Sequence, residues 1–196
     1  MRNKIIVCGL NGVGKSTLGR KLAEALQYQF MDIEDYYFPG KDADYVYGNA
    51  RTKEEVIGLL RQDMARYDNF ILAAVKGDYG EEIVSMFTCA VLLTAPGETR
   101  AKRVKDRAVQ KFGERVSPGG DLYEREKVFW EMTGRRLELE VEEWLEAVGI
   151  PVISVLLGKK KRQKFTPPLC AELIESYAIS PSEYKMSPSY SHRVCC

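Results

Sequence analysis

The sequence predicts an α/β fold: a parallel sheet covered by helices on both faces, three layers in all. Short apolar runs alternate with longer stretches of helical periodicity along most of the chain, as expected of successive strand and helix units. The strand candidates are nearly all apolar, as strands with two covered faces must be. With 196 residues, 45% of them hydrophobic, the chain can bury one sizeable core and is expected to form one domain with insertions.

The first strand is expected at residues 3–8, around Ile5-Ile6-Val7. A helix follows over 15–27, where Leu18, Leu22, Ala25 and Leu26 form an apolar stripe. The second strand, 29–32, runs into the acidic loop "DIEDYY". Thr52 with Glu54 and Glu55 marks the start of a helix over 52–67. "FILAAV" places a strand at 69–75, followed by a helix at 79–86 and a strand at 89–94. Helices over 97–111 and 121–147 precede a last strand at 151–156, and a further helix is expected at 168–177.

Between the first strand and the first helix lies "GLNGVGKST", in which Gly9, Gly14, Lys15 and Ser16 satisfy G-x-x-x-x-G-K-[ST]. Phosphate oxygens need several backbone N–H groups turned inward at once, and glycine permits that approach where a side chain would block it. The loop backbone at Gly9, Asn11, Gly12, Val13 and Gly14, with Thr17 in the helix start, is therefore the candidate cradle for ATP. Lys15 would reach the β- and γ-phosphates and Ser16 would ligate Mg²⁺.

Charge is nearly balanced, 29 basic against 28 acidic residues, so no whole-protein field advertises nucleic acid or an anionic membrane. No leader and no long apolar run is evident, and a cytoplasmic protein, monomer or homodimer, is expected. Cys8, Cys89, Cys170, Cys195 and Cys196 show no paired metal-ligand spacing and read as reduced thiols. The folded core is expected to span residues 1–157, with an insertion at about 35–68 and a glycine-hinged segment at about 112–122. Residues 158–196, basic and then rich in Ser and Pro, read as a partly ordered tail that contains the single histidine, His192.

Other motifs narrow the class. The strings D-x-x-G and N-K-x-D of guanine-nucleotide switches are absent. "VSPGGD" at 116–121 is a poor likeness to the signature of transporter ATPases, and no apolar strand ending in Asp-Glu follows it. On these motifs the chain resembles the small P-loop kinases of the adenylate kinase and shikimate kinase group, over about residues 3–156. The resemblance implies a five-stranded sheet of order 2-3-1-4-5 and transfer of a phosphoryl group from Mg·ATP to a small-molecule acceptor.

It also implies site residues. Asp32 and Glu34 resemble the D-x-D of shikimate kinases, which makes Asp32 a magnesium-orienting acid and candidate base, and Glu34 an acceptor contact. Glu34 stands where that family has Asp. Arg51-Thr52-Lys53-Glu54 resembles the F-R-x-x-E element of the acceptor-binding helix, with Ala50 in the Phe position. After the third strand Lys76, Gly77 and Asp78 become acceptor contacts, while Ala74 and Val75 occupy the region where adenylate kinases carry a magnesium-orienting Asp. Arg103 and Arg107 match the R-x-x-x-R pair that places one guanidinium over adenine and one on the transferring phosphate. Arg100 falls on the same helical face by spacing. Arg115, among Gly113, Pro118, Gly119 and Gly120, is the arginine a closing lid would deliver. Arg135 and Arg136 cannot be placed from the sequence.

Tyr36, Tyr37, Phe38, Tyr45 and Tyr47 crowd the insertion. They read equally as stacking partners for a planar base and as the small core of a mobile flap. Two further functions stay open: a nucleoside or nucleotide kinase, and an ATP-binding regulator or slow ATPase without an acceptor.

Overall fold

The computed structural model describes residues 2–40, 45 and 47–156. The expected tail with its helix at 168–177, and with it Cys170, His192, Cys195 and Cys196, lies outside the described residues. The elements run β1 (Lys4–Cys8), α1 (Lys15–Leu26), β2 (Gln29–Asp32), α2 (Ile33–Tyr37), α3 (Lys53–Arg66), β3 (Phe70–Ala73), α4 (Glu81–Val84), β4 (Cys89–Thr94), α5 (Gly97–Phe112), α6 (Tyr123–Arg135), α7 (Leu139–Val148) and β5 (Val152–Leu156). Among the described residues no helix is long and apolar enough to cross a membrane.

All five strands are parallel, in the order β2-β3-β1-β4-β5. Side chains alternate between the two faces of a strand, and β1 shows the consequence. Ile5 and Val7 join Leu18, Leu22 and Ala23 of α1, together with Ile71, Val91 and Leu93. Ile6 and Cys8 point the other way, into Leu60 and Met64 of α3, Ile83 of α4 and Val141 and Leu145 of α7. One sheet therefore has two cores. Removing each such large aliphatic side chain from water contributes about 1.5–3 kcal/mol, which accounts for the near absence of polar residues from β1, β3 and β4.

Register brings the site together. Val7 pairs with Ala73, and Ala73 pairs with Asp32. The ends of β1, β3 and β2 therefore stand level. Beyond the ladder, the Ala74 N–H donates to the Val7 carbonyl (3.1 Å) and the Gly9 N–H to the Val75 carbonyl (3.1 Å). The chain leaves β1 toward one side of the sheet and later crosses to the other, which makes this end the crevice where open parallel sheets place ligands.

Three sequence expectations need correction. The helix expected over 121–147 is two helices, α6 and α7, separated by residues 136–138. α6 packs on α5, whereas Val141 and Leu145 of α7 must reach the sheet; one straight helix cannot turn its apolar face to both. The acidic loop after β2 is in part the short helix α2, with Asp32 as its N-cap. Thiol chemistry is also divided: Cys8 is buried and free, but Cys89 is disulfide-bonded, so reduced thiols throughout is incorrect.

Gly77 sits in the core. A Cβ there would lie 2.9 Å from Ile6 Cδ1, 2.9 Å from Phe87 Cε2 and 3.0 Å from Trp144 Cη2. Gly58, inside α3, would meet nothing within 4 Å. The same substitution should thus have opposite signs at the two positions. Gly77→Ala is expected to cost about 1–3 kcal/mol through overpacking, and Gly58→Ala to stabilise by about 0.5–1 kcal/mol through helix propensity. Urea unfolding of the two variants checks this; a Gly77→Ala midpoint equal to wild type would show that the packing around Trp144 is loose.

Candidate functional site

The loop between β1 and α1 is shaped by close backbone approach. Gly9 has φ 137°, and a Cβ on it would collide with the Leu93 carbonyl; Gly12 has φ 79°, and a Cβ there would collide with the Arg100 carbonyl. Gly14 also has positive φ, 100°, but faces no heavy atom within 4 Å. Two glycines let the loop wedge between β4 and α5, and the third opens onto free space. α1 starts there with no side-chain cap and no acidic residue in its first turn. Its first N–H groups and the positive end of its dipole therefore suit an external anion. Ser16 and Thr17 belong to that turn. Val13 differs from the rest of the loop: its side chain is core and its N–H turns to the Leu10 carbonyl at 3.3 Å.

Lys15 folds back so that Nζ donates to the Leu10 carbonyl at 3.2 Å. Burial pulls its pKa down to about 8; Glu34 and Asp32 oppose that shift, and Arg107 adds to it. The same enclosure pushes the Cys8 thiol up to about 12, against the pull of Lys15. Asp32 is buried at the end of β2, and its Oδ1 accepts from the Glu34 N–H at 3.1 Å. Glu34 reaches Arg107 of α5, Oε1 to Nη1, at 3.5 Å. Arg103, one turn earlier, points Nη1 at the Gly12 carbonyl, also at 3.5 Å. Lys15, Asp32, Glu34, Arg103 and Arg107 thus gather at the loop.

Other sequence-chosen residues have different partners. Arg115 pairs with Asp121, Nη2 to Oδ2 2.6 Å and Nε to Oδ1 3.0 Å, and holds that carboxyl below its ordinary pKa. Arg51 donates from Nη1 to the Tyr36 carbonyl (2.9 Å) and from its backbone N–H to the Tyr37 carbonyl (2.8 Å). Lys76 and Asp78 pair with each other at 3.4 Å, and Asp78 raises the pKa of Tyr37 behind the larger effect of burial. Arg51, Tyr37 and Asp78 consequently form a polar group beyond β3. The lack of a side chain at Gly77 is required by the core, as described above. Arg100, despite its spacing, leaves the face of Arg103 and Arg107: it is buried, donates from Nε to the Ala95 carbonyl at 3.3 Å and lies 3.9 Å from Glu138.

The aromatics between α2 and α3 pack on α5 and α6. Tyr45 and Tyr47 contact Phe112, Tyr47 stacks on Phe129, and Phe38 meets Tyr47 edge-on. Arg125 lies 4.8 Å from the Tyr45 ring centre, and Lys111 lies 4.7 Å from that of Tyr47. The Tyr45 hydroxyl donates to Glu126, a buried carboxylate, at 2.8 Å. Burial lowers the pKa of Lys111 and Arg107 adds to that shift, while Glu34 and Glu126 oppose it. Lys111 was missed from the sequence although it follows Arg107 by one helical turn, a spacing that signals a shared face. Arg136 was also beyond reach: it donates from Nη1 to Asn11 Oδ1 in the phosphate loop at 3.0 Å, and no local pattern reports a contact across 125 residues.

Comparison with known proteins bears on the family and the fold. Residues 5–117 match the family described as an AAA domain. The chain is 29% identical over 163 residues to the uncharacterized protein YqaC of Bacillus subtilis, which covers 79% of this chain and 89% of that one. A stretch of 36 residues is 44% identical to a shikimate kinase of Clostridium beijerinckii, 18% of this chain and 21% of that enzyme. The solved shikimate kinase from Acinetobacter baumannii, in complex with shikimate, superposes with a TM-score of 0.50 at 16% identity, covering 91% of this chain and 96% of that one. The family match takes in the phosphate loop and the strands β1 to β4 around it, and the superposition extends the shared fold to nearly the whole chain: this protein belongs to the AAA domain family and has the fold of the small P-loop kinases.

Proposed function

We propose that the protein is a Mg·ATP-dependent phosphotransferase that moves the γ-phosphate to a small-molecule acceptor, with a shikimate kinase-like site layout. The observation that carries this is the pairing of an open backbone cradle at Gly14 with a desolvated Lys15 whose pKa is pulled to about 8. A polyphosphate in the cradle supplies the negative charge that this ammonium lacks.

Phosphoryl transfer asks a protein mainly for positioning and charge neutralisation. Lys15 lies against the β- and γ-phosphates. Arg107 exchanges its long contact to Glu34, 3.5 Å, for the transferring group, and Arg103 stays over the loop on the nucleotide side. Arg115 leaves Asp121 when the lid closes and completes the charge. Asp32 takes the proton of the acceptor hydroxyl.

Among the described residues no cluster of three or more His, Cys, Asp or Glu could hold a metal. Mg²⁺ does not ask for one: it commonly takes one or two protein groups, with phosphate oxygens and waters completing its shell. The Ser16 hydroxyl and the Asp32 carboxylate suit such a shell, since the Glu34 N–H is hydrogen-bonded to Oδ1 of Asp32 and leaves the other oxygen for a hydrated ion. When bound, Mg²⁺ neutralises charge on the phosphate oxygens.

On the acceptor side Glu34 stands nearest the loop residues, and Arg51, Lys76 and Asp78 border the polar group around Tyr37. Gly77 contributes there through packing. The covered faces of Tyr45 and Tyr47 favour the flap-core reading over base stacking, which supports a non-nucleoside acceptor. A thermal-shift screen of hydroxy acids, polyols, nucleosides and nucleotides, run with a nonhydrolysable ATP analogue, identifies the acceptor class. Release of ADP that the acceptor stimulates separates a kinase from a regulator with basal turnover only.

Lys15→Ala should cost about 3–4 kcal/mol of transition-state stabilisation, the size of removing one preorganised donor. Turnover within about tenfold of wild type would refute the role. Asp32→Asn should shift the magnesium titration and slow transfer while leaving the melting temperature nearly unchanged, because Asn caps a helix about as well as Asp. An unaltered metal titration would reduce Asp32 to a structural cap.

A further inference from the structure

Arg136 is the first residue past α6. Its backbone, φ −65° and ψ 131°, leaves the helical region, and its side chain crosses to the phosphate loop to donate to Asn11 Oδ1 at 3.0 Å. The neighbours of Asn11 are held in a similar way. The Leu10 carbonyl accepts from Lys15 Nζ at 3.2 Å, and the Gly12 carbonyl faces Arg103 Nη1 at 3.5 Å. Residues 10, 11 and 12 therefore each present one oxygen to a different cation. The carbonyl and N–H of a planar peptide point in opposite directions, so the contacts to the Leu10 and Gly12 carbonyls bear on where the next N–H groups point, while Asn11 between them is held through its side chain.

Two of these cations belong to segments next to the loop: Lys15 to the loop itself and Arg103 to α5. Arg136 comes from the far side of the lid. The same junction touches the loop region a second time, because Glu138 lies 3.9 Å from Arg100 Nε, and the Arg100 carbonyl stands where a Cβ on Gly12 would be.

We propose that Arg136 is a positioning residue of the phosphate loop, acting through Asn11, so that the loop's shape depends on where the α6–α7 junction sits. α6 begins directly after the lid. A lid that moves carries this junction with it, and the contact to Asn11 transmits the position of the helix pair to the backbone that receives the phosphates. For the nucleotide this inference rests on the function proposed above; for the loop's geometry it stands on the contacts alone.

The test has two arms. In nucleotide-free protein, hydrogen exchange followed by mass spectrometry on a peptide covering residues 9–14 should be faster in Arg136→Ala than in wild type, with Arg136→Lys between them. Unchanged exchange in Arg136→Ala overturns the proposal whether or not ATP is the ligand. In the second arm, calorimetry measures binding of a nonhydrolysable ATP analogue with Mg²⁺. Wild-type protein that fails to bind overturns the nucleotide reading and leaves the first arm to decide the loop geometry.

With binding established, Arg136→Ala and Asn11→Ala should each weaken it about tenfold, the size of one hydrogen bond to a charged group. The double variant should be no weaker than either single by more than about twofold, because both remove the same contact. Weakening in the double variant equal to the product of the two, about 100-fold, overturns the proposal. So does an effect of Arg136→Ala that Asn11→Ala does not share, which would mean that Arg136 acts on the nucleotide directly.

Discussion

Neither Gly9 nor Gly12 has room for a Cβ, and the site is organised around that constraint. The Leu93 carbonyl fills the first position and the Arg100 carbonyl the second. β4 ends and α5 begins against the loop because the loop has no side chains there to hold them off. The approach brings Arg103 within reach of the Gly12 carbonyl and sets α5 so that Arg107, a turn later, reaches Glu34. With side chains at these positions, α5 and its arginines would stand farther from Lys15.

The charges at the loop are arranged to be weakly satisfied. Lys15 loses hydration by burial and regains part of that loss from Glu34 and Asp32. Glu34 and Arg107 meet at 3.5 Å, longer than the usual spacing of about 2.7–2.9 Å for a charge-assisted hydrogen bond. Buried or half-buried charges without close partners are costly, and an arrangement that leaves them so favours an additional anion. By contrast, Arg100 and Arg51 are bonded to backbone carbonyls, and Arg115 forms short contacts with Asp121. Equal formal charge therefore does not mean equal availability: Arg103 and Arg107 are loosely held, while Arg51 and Arg100 act first on the fold.

The segment between α2 and α3 shares an aromatic cluster with α5 and α6, beside which Glu126 is nearly fully buried. A buried carboxylate requires a donor, and Tyr45 of the insertion provides one. That segment and α6 are thereby joined by a hydrogen bond as well as by apolar contact. The break between α6 and α7 arises from a different demand, since α6 must lie on α5 while α7 lies on the sheet. That break also releases Arg136 and Glu138 from helical geometry and lets them turn toward the loop.

Local chemistry made much of this legible. The glycine spacing, the strand and helix periods and the capping signal at Thr52 act over a few residues, and the structure has the phosphate loop after β1, all five strands and the Thr52–Glu55 capping box where those signals put them. The strand order came from resemblance, and the sheet has it. Other features are decided by contacts that no local pattern reports. Arg100, Arg103 and Arg107 look alike in sequence, and only the approach of Ala95 and Glu138 turns the first of them away from the loop. Gly77 is packed against Trp144, which α7 brings back to the sheet, and nothing around position 77 in the sequence signals that contact. The amino-acid sequence by itself determined the elements and the phosphate cradle, because their causes are short-range: steric freedom at glycine, side-chain period and helix capping. Tertiary structure alone decided which arginines face the loop, where one helix becomes two and what Arg136 touches, because those outcomes depend on contacts between segments up to 125 residues apart.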